Sequence, residues 1–205
     1  DVHSTDEFCL VGCGSPLPAH QLRIVDKANQ EVPERTEGRI QFCGPSATTG
    51  YFDRPEATAS LFCDGWLETG DRGYITGGEL FITGRTKDII IRAGRNIYPA
   101  EFEDAVGDLE GVRKGHVAVF GSSDPQTGTE RVVVLAESRK RGDEQQSDLR
   151  DAIMALGDER LGLPPDEVVL VSPNTVLRTS SGKVRRDACR QLYENKQLVK
   201  KPAPP

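Results

Sequence analysis

The chain has 205 residues, a formal net charge of −6, 36% hydrophobic residues and 28% charged residues. That length fits one large domain or two small ones, and the composition is that of a soluble globular chain rather than a disordered one. The acidic balance argues against a general nucleic-acid binder. The absence of a run of about 18 apolar residues, or of a basic-then-apolar leader, argues against a membrane span and an export signal.

In chain order, residues 1–86 read as β-rich. The runs QLRIVD (21–26), GRIQFCG (38–44) and GELFITG (78–84) are short, apolar or alternating, and separated by Gly, Pro and Asn turns. One helical insert is predicted at RPEATASLF (54–62), with Pro55 at its first position. Closely spaced short strands suggest a small barrel or part of one. No recognisable start signal opens the chain, so it reads as a fragment of something longer.

From about residue 88 strands mix with helices. DIIIR (88–92) is predicted as a strand, and PAEFEDAVGDLEG (99–111) as a helix with Phe102, Val106 and Leu109 on one stripe. GHVAVFG (115–121), RVVVLAE (131–137) and EVVLV (167–171) are β-like. QSDLRDAIMALGDERLG (146–162) places Leu149, Ile153, Leu156 and Arg160 at helical spacing, and residues 184–198 repeat Val184, Ala188 and Leu192 every four positions. The fold class expected is α+β: a small barrel-like subdomain over 1–86, a hinge, then a compact α+β domain over 87–198. The end KKPAPP, within 199–205, reads as a disordered tail. The junction falls at GRTKDIIIRAGRN (84–96), where two glycines bracket a charged Arg-Thr-Lys-Asp step suited to a hinge.

The cysteines Cys9, Cys13, Cys43, Cys63 and Cys189 are odd in number, scattered and without a CxxC pair. With His3, His20 and His116 far apart in sequence, reduced thiols in a cytoplasmic protein are the favoured reading, and no metal site is expected. No Cys-His or Ser-His-Asp order stands out.

Four local signals bear on chemistry. Asp71, after Thr-Gly in WLETGDRGYI, reads as lying in a tight turn at a strand end. Its carboxylate could accept bonds from a ribose diol, or close an Asx-turn on its own backbone. Arg85 ends a predicted strand, where a guanidinium forks onto phosphate or ribose oxygens or makes a surface salt bridge. Gly94 allows a ligand close to the backbone, or serves a positive-φ turn. LRTSSGKVRR (177–186) surrounds Lys183 with three arginines. Its lysine is either phosphate-facing or a solvated charge.

The ordered motifs EGRIQFCGPSATTGY, DGWLETGDRGYI, GRTKDIIIRAGRNIYPAEFE and TSSGKVRR resemble the last third of the adenylate-forming acyl-activating enzymes, over about residues 10–195. That family includes acyl-CoA synthetases, fatty acyl-AMP ligases and peptide-synthetase adenylation domains. The segments KDIIIRAGRNIYPAEFE, GVRKGHVAVFG and TGTERVVVLAE look most like the fatty acyl-AMP ligase branch. The resemblance implies that Asp71 holds the ribose hydroxyls, that Arg85 reaches the same nucleotide, and that Lys87 is the hinge residue. It implies that Gly94 lines the pantetheine path and that Lys183 contacts carboxylate and phosphate oxygens during adenylation. A compact ammonium between two repelling anions fits that last role physically.

Two departures accompany the likeness. Leu177 stands where the family usually has proline, two residues before the loop threonine. The family's phosphate loop, acyl pocket and Mg-binding acid lie upstream, with no counterpart in this sequence. The function implied is a fragment of a fatty-acid-activating enzyme using ATP and Mg, forming acyl-AMP and passing the acyl group to a pantetheine thiol of CoA or an acyl carrier protein. The isolated chain is then expected to be inactive. The rival is a non-catalytic module that docks a carrier protein or regulates a partner, for which Asp71 and Lys183 have no use.

Overall fold

Two units divide the chain, Asp1–Lys87 and Asp88–Pro205, and both mix strands with helices, so the fold is α+β. The computed structural model describes residues 11–123 and 129–198; the predicted tail at 199–205, Cys9 and His3 lie outside them.

The first unit is an antiparallel sheet of β1 (Gln21–Val25), β2 (Gly38–Cys43), β3 (Phe62–Cys63), β4 (Trp66–Thr76) and β5 (Glu79–Arg85). The long β4 pairs with β2, β3 and β5. Register shifts at Arg39/Gln41 and at Arg72/Gly73 curl it into a half-barrel. Ile24, Val25, Ile40 and Leu67 fill its buried side. Gln41 is fully buried among them, and so needs partners. Its Oε1 accepts from Arg23 Nε at 2.8 Å, and its Nε2 donates to Glu68 at 2.6 Å. Arg39 joins the same cluster through Glu68 and Asn29.

Two sequence expectations change here. The helix α1 covers only Pro55–Ala59 and buries no residue, because Phe62 and Cys63 are taken into the sheet against Leu67 and Trp66. Residues 66–76, read as a turn around Asp71, form one continuous strand.

In the second unit, β6 (Ile90–Arg92) and β7 (Arg95–Ile97) make a hairpin, followed by α2 (Pro99–Gly107), β8 (Val112–Ser123), β9 (Glu130–Ser138), α3 (Asp143–Leu161), β10 (Glu167–Val171) and α4 (Arg186–Glu194). The strand β9 lies between β8, antiparallel to it, and β10, parallel to it. Buried on both faces, its run of Val132–Ala136 is apolar without alternation.

The period-2 pleat sorts these side chains. Val117, Val119, Val132, Val134 and Ala136 pack with Phe102 and Val106 of α2, Leu149 and Ile153 of α3, and Ile90 and Ile97 of the hairpin. Ala118, Phe120, Val133 and Leu135 pack on the other face against Val176 and Cys189, with Leu177, Val184 and Tyr193 at the margin. Each fully buried aliphatic or phenyl group contributes about 1.5–3 kcal/mol to this core. In α4 the buried position is Cys189 rather than Ala188 or Leu192. In α3 Gly157 is buried with Leu149 and Ile153, whereas Arg160 is exposed. The segment bearing Lys183 therefore lies on the α4 face, pinned by Leu177 before it and Val184 after it.

Candidate active site

Asp71 and Arg85 meet in the first unit. They are direct partners across β4 and β5, and Arg85 Nε lies 3.3 Å from Asp71 Oδ1. No Asx-turn forms. The local backbone bond comes from Thr69 instead, whose Oγ1 accepts from Asp71 N at 3.0 Å and donates to the Ile40 carbonyl at 2.9 Å. Gly70, at φ 77°, supplies the kink, and its carbonyl accepts from Thr86 N at 2.9 Å. The arginine side chain is 62% exposed and that of the aspartate 29%. A pair so open to water adds little to stability, and both groups are available to a ligand that competes for them. Lys87 is the last residue of this unit.

Gly94 is in the second unit, at the tip of the β6–β7 hairpin. Arg92 pairs with Arg95, leaving Ala93 (φ 51°) and Gly94 (φ 74°) as a two-residue turn with positive φ at both positions. Nothing lies within 4 Å of where a Cβ on Gly94 would stand, so the surface there is open. The strand expected from residue 88 begins only at Ile90. The hairpin is tied down by two carboxylates. Glu130 accepts from Ile91 N at 2.7 Å, and Asp166 accepts from Arg92 Nη2 at 2.6 Å and from Val132 N at 2.7 Å.

Lys183 occupies a second tight hairpin, closed by a bridge between Arg178 and Val184. Its side chain is exposed, and among the described residues its ammonium has no hydrogen-bond or ion-pair partner. The three neighbouring arginines divide. Arg178 bonds the Gly182 carbonyl and His116. Arg186 is bound to Glu103 through both Nε and Nη2 at 2.7 Å, and to Asp88 at 2.6 Å. Arg185 is exposed beside the start of α4. The basic loop is thus mostly structural, with Lys183 presented at its tip.

Leu177, in place of the family's proline, has a use. Its N–H lies 3.3 Å from Cys189 Sγ and donates to it, and its carbonyl accepts from Arg185 N at 2.9 Å. Proline has no such donor.

Residues that local patterns did not mark hold this hairpin in place. Glu137 is fully buried, accepts from Thr175 N and Val176 N at 2.8 and 2.9 Å, and pairs with Arg113 at 2.9 Å. Burial pushes the Glu103 carboxyl above its usual value, opposed by Arg186 and by the N–H of Val119. Burial alone would lower Arg186, but the bonds and charges of Glu103 and Asp88 outweigh it and raise that guanidinium further. Glu103 carried one sequence signal: it stands three residues before Val106, on the margin of the apolar stripe of α2. Burial likewise raises the Cys189 thiol, which makes it a packing group rather than a nucleophile.

Among the described residues no group of three or more His, Cys, Asp or Glu side chains is arranged to hold a metal ion. Among them, too, no helix is long and apolar enough to cross a membrane.

No family model matches the chain. It is 40% identical over 183 residues to a putative acyl-CoA synthetase of Caulobacter vibrioides, covering 88% of this chain and 32% of that protein. It is 35% identical over 206 residues to the long-chain-fatty-acid–AMP ligase FadD26 of Mycobacterium tuberculosis, covering 91% and 34%. Among solved structures, McyG A-PCP complexed with phenylalanyl-adenylate superposes with a TM-score of 0.83 at 35% identity, over 95% of this chain and 35% of that one. A structure from a study of fatty acyl-adenylate ligases of E. coli and L. pneumophila gives 0.79 at 33% identity, over 92% and 33%. The chain belongs to the adenylate-forming acyl-activating enzymes, as a match to their C-terminal part. Its relatives there include both acyl-CoA synthetases and fatty acyl-AMP ligases, and it spans about a third of their length.

Proposed function

We propose that the chain is the C-terminal part of a fatty-acid-activating ligase. In the first half-reaction a carboxylate oxygen attacks the α-phosphorus of ATP, the bond to the bridging oxygen breaks, and pyrophosphate leaves. In the second a pantetheine thiol, of CoA or of an acyl carrier protein, attacks the acyl carbon and AMP leaves. Lys183 bridges the two anions of the first step, and Asp71 with Arg85 holds the nucleotide. Lys87 is the hinge between the units, and the turn at Gly94 lines the thiol's path. The observation that carries this reading is the exposed Lys183 ammonium, unpartnered among the described residues while Arg178 and Arg186 are engaged. A mobile point charge suits a site where two negative groups must approach.

The test is pyrophosphate release from ATP and a fatty acid, by the complete enzyme and by the isolated chain in parallel. Release is expected from the first and not from the second, which has neither phosphate loop nor acyl pocket in its sequence. If the complete protein releases no pyrophosphate with any carboxylic acid, yet binds carrier protein, the non-catalytic docking module is the correct reading.

Asp71→Ala in the complete enzyme is expected to weaken ATP binding by about 1.5–3 kcal/mol, the worth of hydrogen bonds to a charged acceptor. Calorimetry on both forms measures it. The melting temperature of the isolated chain should hardly move, because the pair lost is solvent-exposed. Unchanged ATP affinity would sink the assignment of Asp71 to the ribose.

A further inference from the structure

The main chain on either side of Lys183 is held while its ammonium is not. Lys183 N donates to Thr179 Oγ1 at 3.0 Å, and its carbonyl accepts from Thr179 N at 2.8 Å. The Gly182 carbonyl accepts from Arg178 Nε at 2.8 Å. That carbonyl and the Lys183 N–H belong to one peptide unit, which is therefore gripped at both poles. Its plane sets the direction in which the Lys183 side chain leaves the backbone.

Arg178 is itself held. Its Nη1 lies 3.1 Å from His116 Nε2. A guanidinium only donates, so Nε2 carries the lone pair and Nδ1 the proton, and Nδ1 lies 3.1 Å from the Lys114 carbonyl. One neutral tautomer thus completes a relay from the Lys114 carbonyl through His116 and Arg178 to the Gly182 carbonyl. His116 lies where β8 falls out of register with β9, between Val112 and Val117. Gly182, at φ 86°, would place a Cβ 3.1 Å from Arg178 Nη2, so the guanidinium occupies space a side chain would take.

We propose that Arg178 and His116 are positioning residues for Lys183: a histidine–arginine brace that fixes the Gly182–Lys183 peptide and so aims the lysine during adenylation. This rests on the reading of Lys183 as the adenylation lysine. A long side chain delivers its charge accurately only if its root does not swing, and small misplacements at a reacting centre cost up to about 100-fold in rate.

The test uses the complete enzyme and both half-reactions. Arg178→Ala is expected to slow acyl-adenylate formation about 10- to 100-fold, while acyl transfer from pre-made acyl-AMP stays within about twofold. His116→Leu, which removes the acceptor, should move adenylation in the same direction, and His116→Gln, which restores one, should recover most of the loss. Introduced into Lys183→Ala, the arginine change should cost nothing more, since a residue acting through the lysine has nothing left to act on. Further loss in that background, or equal loss in both half-reactions, overturns the brace in favour of a general structural role. Wild-type adenylation in Arg178→Ala and His116→Leu, beside a crippled Lys183→Ala, overturns the brace and leaves the Lys183 reading standing. Wild-type adenylation in Lys183→Ala itself ends both. The two histidine variants leave Arg178 in place and decide the matter should Arg178→Ala not fold.

Discussion

Lys183→Ala in the complete enzyme is expected to slow acyl-adenylate formation by about 10²–10³, the usual loss when one preorganised donor is taken from a site of developing charge. Thioester formation from pre-made acyl-AMP should change far less. That step has no carboxylate–phosphate repulsion to relieve, and the open turn at Gly94 sits on a different hairpin from Lys183. Stability of the isolated chain should stay within about 0.5 kcal/mol, because the side chain is exposed. Arg185→Ala is the control. It too removes an exposed cation, two residues on, and should leave adenylation much closer to wild type. Equal losses in the two half-reactions, or a large melting shift, would return TSSGKVRR to an ordinary basic loop. An Arg185→Ala loss matching that of Lys183→Ala would mean diffuse positive charge, not a placed ammonium.

What the sequence made legible is local. Periodicity located α2, α3, the three strands of the second unit's larger sheet and the approximate span of α4, because one face of each must meet an apolar neighbour. It misjudged 66–76, since Thr-Gly-Asp carries turn chemistry that β4 absorbs as a kink without leaving its ladder. It also lengthened α1, since nothing in ASLFC announces that Phe62 and Cys63 pair with β4. At the candidate site, ordered motifs drew attention to Asp71, Arg85, Lys87, Gly94 and Lys183. The arginines that flank Lys183 are held by groups far off in sequence. Glu103 is 83 positions from Arg186, and His116 is 62 from Arg178. Pairings of that kind depend on how sheet and helices pack, and no local pattern encodes them.

The second large effect expected is on stability, at Arg186. Its guanidinium joins Asp88, the first residue of the second unit, to Glu103 of α2 from the start of α4. The side chains of Glu103 and Asp88 are only 9% and 14% exposed. Replacing Arg186 with methionine strands both carboxylates in poor solvent, and breaking a buried pair from one side costs about 3–5 kcal/mol. That is a large part of the roughly 5–15 kcal/mol that holds a domain together. The loss should depend on pH with a definite sign. Burial already raises Glu103 against the pull of Arg186, and without the arginine it rises further. A carboxyl raised in the folded state favours folding below its unfolded value, about 4.3, and loses that contribution as pH climbs through the folded value. Arg186→Met should therefore be most nearly native near pH 4 to 5 and weaken towards pH 7, relative to wild type at each pH. Adding Glu103→Gln should restore part of the stability at pH 7, since it removes one stranded charge. Urea melts of the three forms at two pH values measure all of this. If Arg186→Met matches wild type at neutral pH, or Glu103→Gln worsens it there, the network is a screened surface pair and the root of the Lys183 hairpin is held without it, by the Glu137 hydrogen bonds and by packing.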